Sequence, residues 1–94
     1  VKENQESVDP LKTTAYFEQK LLEQPKIQRT WCERVLANPL KTATQSNGRI
    51  SHWAVIPEYG DRVLRVITLE DGETLHNAYF DRNFRSRLEK GLEP

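Results

Sequence analysis

Residues 64–84 read LRVITLEDGETLHNAYFDRNF. Two runs rich in β-branched and aromatic residues flank Asp71-Gly72, the pattern of an antiparallel hairpin closed by a tight turn. Moving toward the N-terminus, two further turn signals recur at similar spacing, Tyr59-Gly60-Asp61 and Asn47-Gly48. They separate GRISHWAVIPEY, DRVLRVITLE and ETLHNAYFD, with a weaker strand, KTATQS, in front. This half of the chain is therefore expected to be a four-stranded antiparallel meander.

Before residue 41 the period is helical. TAYFEQKLLEQ carries Phe17 and Leu21 at i, i+4, with Thr13 or Thr14 placed to cap it and Pro25 to end it. KIQRTWCERVLANP sets Ile27, Trp31 and Val35 on one row, with Cys32 and Leu36 beside them, and Asn38-Pro39 closes it. The expected fold is α+β, with two N-terminal helices packed on one face of the sheet. Residues 1–12 read as a polar, disordered lead-in, 13–84 as a single domain, and 85–94 as a tail, a short helical turn or a frayed end.

The chain has 94 residues, with 14 basic and 14 acidic side chains, and a formal net charge of zero. No overall basic field draws in nucleic acid, so only a local patch could. The single cysteine, Cys32, falls in a helical apolar pattern and reads as a buried, inert thiol. No apolar run is long enough for a membrane helix, so a soluble, cytoplasmic protein is expected. With no methionine in it, the sequence as it stands is expected to be a trimmed or processed form. No metal-ligand spacing or phosphate-binding glycine loop is present, so neither metal nor cofactor is expected.

Two-residue loops at the three turns would align Trp53, Val66 and Asn77 in one row and Val55, Leu64 and Tyr79 in another, facing the helices with Leu75. The opposite face would then carry His52, Ile67 and His76 in one row and Ala54, Arg65 and Ala78 in the next. Cross-strand neighbours lie ~5 Å apart, so the histidines would stand ~10 Å from each other, suited to two groups on one phosphodiester. The placement of His52 hinges on Tyr59-Gly60-Asp61, because a three-residue loop there moves it to the core face. In this arrangement His76 is the candidate acid or base and Arg65 its phosphate stabiliser, lowering the His76 pKa. Arg82, Arg85 and Arg87 form the one local basic patch, able to follow a phosphate backbone or to pair with Asp81 and Glu89.

The order helix, helix, meander, with CERVLANP ending the second helix and residues 64–84 ending the sheet, resembles a family of small bacterial domains of unknown function. That family is similar in architecture to BrnT and, more distantly, to RelE-type toxins. The resemblance implies a toxin-like ribonuclease neutralised by an antitoxin-like protein partner, with RNA as substrate. It places Arg65, His76 and Arg82 at the site; His52 and Arg85 join them as substrate-binding candidates on the reading of the faces above. The chain departs from RelE-type toxins in being neutral and in lacking their lysine-rich helix. The alternative is a non-catalytic interaction module, and the weak first strand leaves an edge through which a homodimer could form.

Overall fold

In the computed structural model, which describes residues 11–93, Thr14 starts the first helix by accepting the Phe17 N–H on its Oγ1 at 3.1 Å. Helix α1 spans Ala15–Glu23 and stops one residue short of Pro25 with Gln24 as its C-cap. Helix α2 spans Arg29–Ala37, and Asn38 leaves the helical region at ψ 69° because Pro39 follows. Strands β1 (Lys41–Thr44), β2 (Ile50–Ile56), β3 (Arg62–Thr68) and β4 (Leu75–Phe80) pair in the order β1-β2-β3-β4, all antiparallel. A third helix, α3 (Arg82–Glu89), closes the chain. The expected α+β arrangement of two helices on an antiparallel meander is present. Among the described residues no helix is long and apolar enough to cross a membrane.

The helices bury one face of the sheet. Phe17, Ile27, Trp31, Cys32 and Val35 meet Ala54, Ile56, Leu64, Val66, Leu75 and Ala78 in the main core, with Leu21 and Phe80 packed against it. Burial pushes the Cys32 thiol up to about 12, so it is no thiolate at neutral pH.

Strand β3 presents the expected residues to the helices, but its neighbours are slipped by one residue. His52 pairs with Val66 and Trp53 with Arg65, in place of the expected Trp53–Val66 row. The cause is the β2–β3 connection, where Pro57–Tyr59 form a 3₁₀ turn and Gly60 and Asp61 are left-handed at φ 69° and 56°. The connection is longer than a two-residue loop, and His52 moves to the core face. On the other side the Asp71-Gly72 turn sets Thr68 opposite Leu75 as expected, but Ile67 then faces Asn77. His76 is the extra residue of a β-bulge, and everything after it in β4 is turned over. Val55, Trp53, Asn77 and Tyr79 therefore leave the helix side, and Ala54 and Ala78 take their places in the core.

The ends of the domain also depart from expectation. Residues 1–10 of the expected lead-in lie outside the described residues, but Lys12 is already ordered. Its carbonyl accepts the Leu75 N–H at 2.8 Å, and the Thr14 N–H donates to Leu75 O at 3.0 Å, a short parallel pairing on the edge of β4. The tail expected from residue 85 is most of α3. Asp81 caps that helix through its Oδ1 and the Phe84 N–H at 2.9 Å. Phe84, fully buried, lies against Trp53 and Val63 in a second core on the face that the first two helices leave open.

Candidate functional site

The expected site divides between the two faces. Arg65 does project from the face opposite α1 and α2, but neither histidine accompanies it. His52 is 7% exposed among core residues, with Nε2 3.0 Å from the Thr68 hydroxyl and Nδ1 without a partner among the described residues. His76 packs toward α1, its ring stacked on Tyr16 at 4.9 Å and its Nδ1 3.0 Å from Thr14 Oγ1. The expected sharing of one face by His52, His76 and Arg65 is thus corrected by the slipped registers on both sides of β3.

Burial lowers the pKa of His52. The sign of its pH effect follows. An unfolded histidine titrates near ~6.5, and the folded one at lower pH. Above both values neither state is protonated; below ~6.5 the unfolded chain takes the proton first, so stability falls as the pH drops toward the folded value. His52→Leu should lose less stability than the natural protein between pH 7 and pH 5, measured by urea unfolding. Equal losses would exclude His52 as the source.

His76 is the histidine that solvent and a ligand can reach. Burial first, and the Arg49 guanidinium second, hold its pKa below the usual value, so the ring is neutral at pH 7. The cation whose charge acts on it is Arg49, carried by the Asn47-Gly48 turn, and not Arg65. That turn is a longer loop than expected, with Gln45 N donating to Arg49 O at 2.7 Å and Gly48 at φ 89°. With Nδ1 engaged by Thr14, Nε2 is the nitrogen left to meet a substrate. Thr14 and Tyr16 hold this ring, and of the two Thr14 carried the clearer signal in the sequence, as a helix cap.

Arg65 occupies a different setting. Its guanidinium lies between Trp53 and Tyr79, 5.0 and 5.5 Å from their ring centres. Its Nε and Nη2 donate to the buried Ser51 hydroxyl at 3.1 and 2.9 Å. Asp81 Oδ2 stands 3.7 Å from Nη1 and also accepts the Trp53 indole N–H at 3.0 Å. Stacked on both sides and bonded at one end, this side chain ties β2, β3 and the start of α3 together. It acts as a structural clamp more than as a free phosphate ligand.

The arginine patch is resolved residue by residue. Arg87 lies over Phe84 and pairs with Glu93 at 2.9 Å. Arg85 pairs with Glu89 at 3.1 Å and donates to Gly60 O. Arg82 makes no ion pair among the described residues and lines a cleft with Arg85 and with Arg62 of β3. Arg62 had no part in the expected site. No protein-family model, curated protein or solved structure matches the chain.

Proposed function

We propose that the chain is a toxin-like ribonuclease domain in which His76 is the proton-transfer group. The observation that supports this reading is the setting of His76: one nitrogen held by Thr14, the ring braced on Tyr16, and the charge of Arg49 acting on it. In the reaction, neutral His76 accepts the 2′-hydroxyl proton of RNA as O2′ bonds to phosphorus. The P–O5′ bond breaks, the leaving oxygen takes a proton from solvent, and a 2′,3′-cyclic phosphate remains. Arg49 takes the role first given to Arg65, stabilising the charge that builds on the phosphoryl oxygens. Arg82 and Arg85 hold the backbone further along the strand, while His52 and Arg65 act through the fold.

Induced expression in a bacterial host should arrest growth and cleave RNA. His76→Ala should reduce cleavage on the order of 10²–10⁴-fold, the usual contribution of a positioned acid or base. Arg49→Ala should impair it also, with both variants keeping the natural protein's unfolding midpoint. Normal growth with intact RNA from the natural sequence would defeat the proposal.

The competing reading is an interaction module, and it draws support from β1. Thr42, Ala43 and Thr44 are exposed, and among the described residues no strand pairs with the outer side of β1. An added strand from a protein partner or a second copy fits such an edge. Normal growth together with dimerisation abolished by Ala43→Pro would favour it.

A further inference from the structure

Arg62, Arg82 and Arg85 converge on a cleft of about 130 Å³ whose other walls are Val63, Phe80 and Asp81. The single carboxylate there is turned to other work: Asp81 Oδ1 caps α3, and Oδ2 accepts from Trp53 and faces Arg65. The cleft is therefore cationic. Arg62 is pre-oriented over the Tyr59 ring at 4.9 Å, and neither it nor Arg82 forms an ion pair among the described residues.

Phe80 also forms a wall of a second cleft, about 280 Å³ in volume, with Glu23, Pro25, Lys26 and Ile27 among its lining residues. An arginine-lined cleft separated from a partly apolar one by an aromatic ring matches the two parts of a nucleotide, phosphate and base. Phe80 and His76 lie on the same strand four residues apart, roughly 13 Å at about 3.3 Å per residue.

We propose that this cleft binds a backbone phosphate of single-stranded RNA, with the adjoining base seated against Phe80, a few nucleotides from the bond opened at His76. The inference rests on the ribonuclease reading for its choice of ligand, but binding here does not require His76 to be competent. Stacking on an aromatic ring with guanidinium contacts to phosphate is how single strands are held without sequence preference.

The test is fluorescence anisotropy with a labelled 2′-O-methyl RNA hexamer, which cannot be cleaved. The Arg62→Ala/Arg82→Ala double variant should bind at least about 10-fold more weakly, and each lost arginine should reduce the salt slope by about 1. Phe80→Leu, which keeps the core filled, should weaken the hexamer several-fold and leave an abasic hexamer unaffected. Because this hexamer lacks the 2′-hydroxyl nucleophile, its affinity is read apart from cleavage, so a failure of catalysis and a failure of this site are distinguishable. Undiminished binding by the double variant would overturn the site. Equal binding of abasic and base-bearing hexamers would overturn the base seat.

Discussion

Phe84→Ala should lower the free energy of unfolding by about 3–5 kcal/mol, the usual cost of truncating a buried phenylalanine. Phe84 is fully buried, and its ring stacks on Trp53 at 5.1 Å and 14°. Trp53 and Val63 are the other buried members of this second core, with Val55 and Leu88 packed at its margin. So few partners leave little to collapse into the space, which places the cost toward the upper end. A domain of this size has a total stability of roughly 5–15 kcal/mol, so the loss is a large part of the whole. Urea unfolding followed by tryptophan fluorescence reads the change, and Trp53 should become solvent-exposed in the native baseline as α3 detaches. A loss under about 1 kcal/mol with unchanged native fluorescence would show that the helix is not part of the folding unit.

Asp81→Ala should cost about 2–3 kcal/mol through three contacts removed at once. The helix cap is worth ~1 kcal/mol, and the bond from the Trp53 indole adds ~1.5 kcal/mol, the low end for a bond to a charged group. Loss of its charge also leaves Arg65 facing two aromatic rings without a carboxylate. Asp81→Asn should cost less, because the amide oxygen can still accept the Phe84 N–H. Burial acts to raise the Asp81 pKa, but the Phe84 N–H, the Trp53 indole, Arg65 and Arg87 together bring it below the ordinary value. A depressed folded pKa means that its contribution is complete above the unfolded value, near ~3.9, and is lost as the pH falls through the folded one. Urea midpoints for the three proteins at pH 7 and pH 3 check both statements. Indistinguishable Asp81→Ala and natural proteins would remove Asp81 from the account of how α3 is held.

Charge conservation does not make Arg65 replaceable. Lysine has neither the planar faces to stack between Trp53 and Tyr79 nor the fork that reaches Ser51 twice. The arginine that sequence reasoning selected for phosphate chemistry is thus immobilised by its neighbours, whereas Arg62, which it passed over, lines a cleft with Arg82 and Arg85. Charge patterning identifies cations but not their partners, and partners separate a clamp from a binding group. Arg82 and Arg85 were legible as a patch because they are adjacent in sequence. Arg62 joins them only because β3 starts beside the end of β4.

Local pattern alone determined the two helices, the residues that end them, the four strands, and the β3 residues that face the core. Each of these depends on neighbours within a few positions: Phe17 with Leu21, Trp31 with Val35, Leu64 with Val66. Tertiary structure decided the faces of β2 and β4. A period of two carries no memory across an irregularity, so one added residue in the Pro57–Asp61 connection or one bulge at His76 reverses every side chain beyond it. The same reversal explains α3. Trp53 and Val55, turned away from the first two helices, required cover, and Phe84 and Leu88 supply it. The hydrophobic pattern could announce that a face would be buried; which element buried it depended on contacts between Trp53 and a residue 31 positions away.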